Sequence, residues 1–341
     1  MRLALTVGYA GTRVDPRLDL VQEADRLGYH SVWAAEAYGS DVVTMLAWYG
    51  AQTHQIRLGA GIMQIPGRTP AMTAMTAVTL NELTGGRFLL GLGVSGPQVA
   101  EGWHGQPYAG PLGRTREYVE IVRRMMNRER VRFEGDHYRL PYDGAGSTGL
   151  GKPLRLTIHP QHEIPVYLAS IGPKNVALTA EIADGWLPFW YSPEHAGEVF
   201  APALAEGFAA SGEEGKADRF EIVATAPAAL TDDPGQARWG VKPLLALYVG
   251  GMGAKGKNFY YDLACRYGYE EAAETIQGFY LQGKREEAIA AVPDALVDQV
   301  SLIGTKDALR DRLDVWRASG VTTLAVIAQD VETVRALADL M

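Results

Sequence analysis

The sequence predicts an α/β fold, an eight-stranded (β/α)8 TIM barrel occupying the whole 341-residue chain as one domain. Three observations predict it. Short apolar runs alternate with stretches of helical periodicity, and strands separated by helices pair in parallel through right-handed crossovers. The segment Arg68–Gly105, RTPAMTAMTAVTLNELTGGRFLLGLGVSGPQVAEGWHG, reads as helix, Gly-Gly turn, buried strand and glycine loop. That order puts a loop at the carboxyl end of a strand, where barrels of this kind keep their sites. Finally, no GxGxxG follows the first strand, which counts against an open doubly wound sheet.

Taken in order, Leu3–Gly8 is a near-continuous apolar run, as in a strand covered on both faces. Asp15-Pro16 opens a helix in which Leu18, Val21, Ala24 and Leu27 recur at helical spacing, and Gly28 stops it. Ser31–Ala35 is the second strand, and Asp41 caps a helix running to about His54. Ile56–Met63 is the third strand, Pro70–Leu83 the next helix and Arg87–Leu92 the fourth strand. The alternation then breaks. Arg114–Asn127 is helical, Arg130–Leu140 is a β-hairpin turning at FEGDHY, and Pro141–Gly151 is loop. This reads as an insertion, about 98–163, over the barrel mouth. Regularity returns with strand Ile164–Ser170, helix Pro173–Ala183, strand Gly185–Pro188, a helix from Pro193 to Ala210 and strand Phe220–Ala226. A second insertion, about 231–297, is mostly helical and contains GGMGAKGKNFYYD (Gly250–Asp262), whose glycines and lysines read as a mobile loop. Helix Thr305–Ser319, strand Thr322–Ile327 and helix Val331–Leu340 close the chain.

Composition narrows the function. The net charge is -8 with no basic run, which argues against a nucleic-acid partner. An anionic small ligand stays open, because a pocket can be locally positive on an acidic protein. The single cysteine, Cys265, excludes a disulfide framework and a cysteine metal site and reads as a small core residue. The seven histidines are scattered; His159 and His162 are near each other but have no acids in register, so no metal is expected. A serine triad lacks its GxSxG elbow. The amino terminus enters a strand at once without a signal-peptide layout, and no apolar run reaches membrane-spanning length. The expected location is cytoplasmic, without a membrane.

Five constellations can carry chemistry. The glycines of Gly59-Ala60-Gly61-Ile62-Met63 mark either a bulge with close approach to a ligand or plain crowding in the barrel. In Ala169-Ser170-Ile171-Gly172-Pro173-Lys174-Asn175 a strand ends and Pro173 starts a helix. The first N–H groups there make an anion site, with Lys174 adding charge, or else an ordinary turn. The loop Gly93-Val94-Ser95-Gly96-Pro97-Gln98 offers Ser95 and backbone N–H groups. Glu36, at the end of the second strand, is either an acid–base in an apolar mouth or a salt-bridged structural carboxylate. His104, in Glu101-Gly102-Trp103-His104-Gly105, is either a proton donor to substrate or a packed residue beside Trp103. Trp186, Phe189, Trp190 and Tyr191 follow the sixth strand as a ring-binding wall or as core.

Together GAGI (Gly59–Ile62), TGGRFLLGLGVSGPQ (Thr84–Gln98), EGWHG, SIGPKN (Ser170–Asn175) and ADGW (Ala183–Trp186) resemble the bacterial luciferase-like family, and within it the deazaflavin (coenzyme F420)-dependent branch. The resemblance spans roughly Leu3–Leu230 and, more weakly, the last βα unit. It implies a non-proline cis peptide at Gly61-Ile62 backing the deazaflavin ring. It implies that Ser95, Gly96, Ser170, Gly172 and Lys174 hold the phosphate tail, which lies along Ala169–Asn175, with Val94, Ala169, Ile171, Pro173 and Trp186 also at the cofactor. Two departures stand out. Glu36 matches the acid of an Asp-His or Glu-His pair, but Ala37 replaces its histidine; Val94 occupies the position of a loop acid in some relatives. The implied reaction is hydride transfer between F420 and a small organic substrate, with Glu36 and His104 as proton-transfer candidates, in a homodimer formed through the second and third helices. The alternatives are an FMN-dependent two-component monooxygenase and a non-catalytic deazaflavin-binding protein. A basic groove with Lys174, Arg68 and Lys152 would favour F420 over FMN.

Overall fold

The structure is a computed structural model that describes residues 1–8 and 12–341. Eight strands close into a ring: β1 (Arg2–Val7), β2 (Ser31–Ala34), β3 (Arg57–Ala60), β4 (Phe88–Gly93), β5 (Val166–Leu168), β6 (Gly185–Trp186), β7 (Glu221–Leu230) and β8 (Thr323–Ile327). Each is parallel to the next, and β8 pairs with both β7 and β1. All eight predicted strands lie at their expected places. One further strand, Leu302–Gly304, went unpredicted. It arises because β7 runs to Leu230, past the expected Ala226, and the backbone groups of Ala228–Leu230 need a partner.

Side chains alternate across each strand. Ala4, Trp33, Leu89, Tyr167, Val223 and Ala325 point inward and fill the barrel. Trp33 dominates this interior. It meets Tyr167 edge to face at 5.2 Å and lies over β3 so closely that a Cβ on Gly59 would collide with its ring. At the amino-terminal end the Tyr167 hydroxyl donates to Glu221 (2.5 Å) and Arg2 donates to the same carboxylate (2.7 Å). Burial, with the Arg2 charge beside it, pushes His30 down to about 4, so it sits neutral in this floor.

The outward faces pack on the surrounding helices. The helix Val42–Gln52 is capped by Asp41, which accepts from Thr44, and Pro70–Leu83 by Thr69, which accepts from Met72. The first helix begins at Leu18, two residues beyond the expected Pro16. Asp15 accepts from the Arg17 N–H, and Arg17 turns through a left-handed φ of 43° first. No helix among the described residues is long and apolar enough to cross a membrane.

The first insertion holds its expected hairpin, and the second departs from expectation in one place. The hairpin Phe133–Glu134/Arg139–Leu140 forms, but it lies along the flank of helix Pro111–Met126. Glu117 of that helix accepts the N–H groups of Asp136, His137 and Tyr138, which ties the turn to the helix. In the second insertion Gly250 and Gly251 belong to helix Pro234–Gly251, not to a loop. They serve close packing: a Cβ on Gly250 would come within 2.5 Å of Tyr280, and one on Gly251 would also strike its ring. Asn258 then caps helix Phe259–Arg266 and donates back to the Tyr248 and Val249 carbonyls (2.9 and 2.8 Å).

A Cβ on Gly91 would strike the Ala60 carbonyl, which is backbone and cannot swing aside. Gly91→Ala should therefore cost about 3 kcal/mol or more in urea unfolding. Gly102→Ala, where a Cβ would meet nothing within 4 Å, should stay within about 0.5 kcal/mol of the parent.

Candidate active site

The mouth takes its shape from a break in β3. After Ala60 the Gly61-Ile62 peptide is cis, as the resemblance implied, and the Gly61 N–H donates to the Ala34 carbonyl (2.7 Å). The chain then resumes pairing as Met63–Gln64 against Leu92 and Gly93 of β4. This sets the Ile62 side chain across the end of β4. A Cβ on Gly93 would collide with Ile62 and come within 3.6 Å of the Ala169 Cβ. Three predicted positions from three strands, Ile62, Gly93 and Ala169, thus meet at one rim. Val94, Ser95 and Gly96 continue from β4, half-buried, with Ser95 in a left-handed turn (φ 58°) and its carbonyl accepting from the Tyr108 hydroxyl (3.3 Å). On β1, where Ala4 points inward, Thr6 does so two residues nearer the mouth, and its buried hydroxyl has no partner among the described residues.

Glu36 does not stand in an apolar mouth. Its carboxylate receives both ends of the Arg68 guanidinium (2.6 and 2.8 Å) and the N–H groups of Val42 (3.1 Å) and Gln64 (3.2 Å). The side chain is 9% exposed and that of Arg68 16%. Of the two readings open in the sequence, this geometry is that of the salt-bridged carboxylate. Arg68 also binds Asp41 (2.6 Å). Burial alone would raise the Asp41 carboxyl, but the Thr44 hydroxyl and amide and the Arg68 charge outweigh it and hold it below the usual range. His104 joins the group through Gln64: its Nε2 lies 2.5 Å from Gln64 Oε1. Gln64 went unnoticed in the sequence. Its signal was a lone amide in the apolar run GAGIMQIP.

Across the mouth, helix Pro173–Ile182 begins at Gly172 with no side-chain cap, so its leading amide is left for a ligand. Lys174 and Pro173 are exposed there and Ile171 and Gly172 half-buried. The Ser170 hydroxyl, expected at the site, is turned back to the Thr179 hydroxyl (2.9 Å) and is buried. Two residues of the second insertion complete this corner without a sequence signal. Phe259 lies against Gly172, where a Cβ would come within 3.2 Å of its ring, and Arg266 donates to the Ile171 carbonyl (3.3 Å).

Trp186 does not face the mouth. On β6 the Gly185 and Leu187 positions point inward, so Trp186 points to the helices. It is fully buried there against Phe200 (4.9 Å) and Tyr191, and its indole N–H donates to the Ser170 carbonyl (2.9 Å). It is a backing residue for the 170–174 corner. The aromatic cluster is made instead by Phe189 with Trp190, Tyr248 and Tyr260. The basic groove of Lys174, Arg68 and Lys152 does not form either: Arg68 is consumed by Glu36 and Asp41. Lys152 lines a flank cavity of about 600 Å³ with Arg130, Arg132 and Arg155. Among the described residues no three His, Cys, Asp or Glu side chains are grouped so as to hold a metal.

A closed parallel barrel whose strand ends meet at Ile62, Gly93 and Ala169, beside an open helix terminus, is the architecture of a ligand-binding α/β barrel. The chain belongs to the luciferase-like monooxygenase family, whose description matches residues 2–323. It is 48% identical to a Mycobacterium tuberculosis protein named, provisionally, a coenzyme F420-dependent oxidoreductase, over 100% of this chain and 99% of that one. Among solved structures it resembles the coenzyme F420-dependent tetrahydromethanopterin reductase of Methanopyrus kandleri (TM-score 0.81, 21% identity, 100% and 98% of the two chains). It also resembles an F420-dependent secondary alcohol dehydrogenase bound to an F420-acetone adduct (TM-score 0.78, 17% identity, 100% and 98%). At these identities the two structures bear on the fold alone.

Arg68→Met leaves the Glu36 carboxylate in place without its cation and should cost about 3 kcal/mol in chemical unfolding. It should also flatten the acid limb of the stability curve. With its folded pKa lowered, Asp41 contributes stability above the ordinary carboxylate range that is lost as pH falls through it, and Arg68 supplies part of that lowering.

Proposed function

We propose that this protein is an F420-dependent oxidoreductase that transfers a hydride between coenzyme F420 and a small organic substrate. The observation that carries the reading is the meeting of Ile62, Gly93 and Ala169 at the same mouth as the uncapped start of helix Pro173–Ile182. A flat ring set on Ile62 is within one molecule's reach of a phosphate group at Lys174. The name of the Mycobacterium tuberculosis relative, 48% identical along the whole chain, supports F420 over FMN. When bound, the deazaflavin supplies the hydride chemistry.

The chain's own residues do the rest. Ile62 backs the ring, and Gly93 keeps the space beside it clear. The N–H of Lys174, its ammonium group and the glycine turn at Gly172 hold the phosphate tail, with Arg266 fixing the Ile171 carbonyl behind them. Phe189, Tyr248 and Tyr260 give an apolar, water-poor wall. The Thr6 hydroxyl, without a partner among the described residues, is a donor on the mouth side of the barrel interior. Glu36 acts chiefly by anchoring Arg68 and Gln64, and His104 is the group that exchanges a proton. The same reading includes a homodimer through the second and third helices, supported by Trp48, Met72 and Met75, each at least 50% exposed on those helices.

Titration of the apoprotein with F420 and with FMN, followed by fluorescence, tests the cofactor: F420 uptake is expected, and FMN uptake with none of F420 sinks the reading. Gly93→Ala should weaken F420 binding by about tenfold, since its Cβ pushes on the mobile end of Ile62 rather than on backbone. Light scattering should give a dimer mass for the parent and a monomer mass for a Trp48→Glu, Met75→Glu double variant; a monomeric parent overturns the homodimer.

A further inference from the structure

We propose that Gln64 is a positioning residue for His104: it fixes which ring nitrogen is permanently protonated and reserves Nδ1 for proton exchange with a molecule bound in the mouth. The inference rests on the redox reading above for what that molecule is, but not for the hydrogen-bond assignment itself.

The assignment follows from donors and acceptors. Gln64 is 1% exposed, so its amide must satisfy itself within the protein. One end of the amide lies 3.2 Å from the Glu36 carbonyl and 3.0 Å from the Ala37 carbonyl. Carbonyls only accept, so the end facing them is the NH2 group, and both of its donors are used. Oε1 therefore faces His104, and Oε1 only accepts. The His104 nitrogen 2.5 Å away, Nε2, must carry a hydrogen. This holds for the neutral ring and for the cation alike.

Nδ1 is left over. Among the described residues it has no hydrogen-bond partner. Gly67 leaves room for the ring itself: a Cβ there would come within 3.0 Å of Cε1 and 3.5 Å of both nitrogens. A proton can therefore arrive at or leave Nδ1 while the bond from Nε2 to Gln64 stays intact, and the ring need not rotate during the exchange. Gln64 can do this because it is itself held. Its N–H donates to the Glu36 carboxylate, which Arg68 locks in place. The charged groups around His104 are disposed accordingly. Glu36 and Asp41 are both paired with Arg68 behind Gln64, and Glu101, on the short helix Pro97–Gly102, is turned to the Tyr108 N–H (3.3 Å).

The test is ¹⁵N NMR of cofactor-free protein labelled at histidine, read above the imidazole titration range, with His104 assigned by the resonances that vanish in His104→Asn. The parent should show His104 as the Nε2–H tautomer with a protected, downfield ring proton. Gln64→Met should lose that protected proton, and Gln64→Glu, which keeps an acceptor, should restore it. A parent with Nδ1–H, or a protected proton that survives Gln64→Met, overturns the proposal. The parent measurement needs no substitution at Gln64, only His104→Asn at a half-buried position for assignment, so it decides even where a change at Gln64 fails to fold. Adding F420 to the parent should then shift Nδ1 and leave the Nε2–H signal in place; exchange of the Nε2 proton would overturn the reserved role of Nδ1. Failure of F420 to bind at all would sink the redox reading while leaving the tautomer result standing.

Discussion

Four hydrogen-bond donors from three segments converge on the Glu36 carboxylate: two from Arg68, one from the Val42 N–H and one from the Gln64 N–H. The shape of the mouth on this side depends on them. The β2 loop, the start of helix Val42–Gln52 and the resumed strand Met63–Gln64 would otherwise be independent excursions from the rim. Joined at one carboxylate, they are held to one another. A charge this far from water is tolerated because every oxygen is engaged, and the bidentate guanidinium gives direction as well as charge. Remove the cation and the same oxygens become a liability.

The opposite side of the mouth is built on a different principle. There the chain offers an uncapped helix start at Gly172 and backs it with residues that arrive from far along the sequence. Arg266 and Phe259 come from the second insertion, and Trp186 supports the Ser170 carbonyl from behind. One rim is a network of charges satisfied within the protein. The other is a set of donors left for something else. A ligand spanning both would meet rigid, neutralised chemistry at its reactive end and open electrostatic attraction at its tail.

The barrel was legible in the sequence because its signals are local and repeated. Eight apolar runs, glycine stops and caps such as Asp41 each declare themselves within a few residues. At Gly61-Ile62 and at Gly172 the glycines alone left ligand contact and ordinary packing both open, and it was the resemblance of GAGI and SIGPKN to the family that pointed to a site. What escaped depends on direction and on distant partners. Trp186 was misplaced because a two-residue strand gives no alternation to read, so inward and outward could not be told apart. Glu36 reads equally as an acid–base or a salt-bridged carboxylate in the sequence, since Arg68, its partner, is 32 residues away. Gly250 and Gly251 read as loop because Tyr280, the ring they make room for, lies on a helix further on. Gln64, Arg266 and Phe259 acquire meaning only once the strands have closed.

The long excursion that follows β7 leaves and returns at one spot. The Thr231 N–H donates to the Gly304 carbonyl (2.9 Å), and Leu302–Gly304 runs parallel to the strand the excursion departed from. Its two ends are stitched together at the rim, so its contents can vary without disturbing the ring below. Such an arrangement behaves as a cassette: a relative can replace the helices between these two points, and with them Phe259, Tyr260 and Arg266, while inheriting the same barrel and the same anchored carboxylate. New reactivity toward new molecules would then come from exchanging one self-contained stretch of chain.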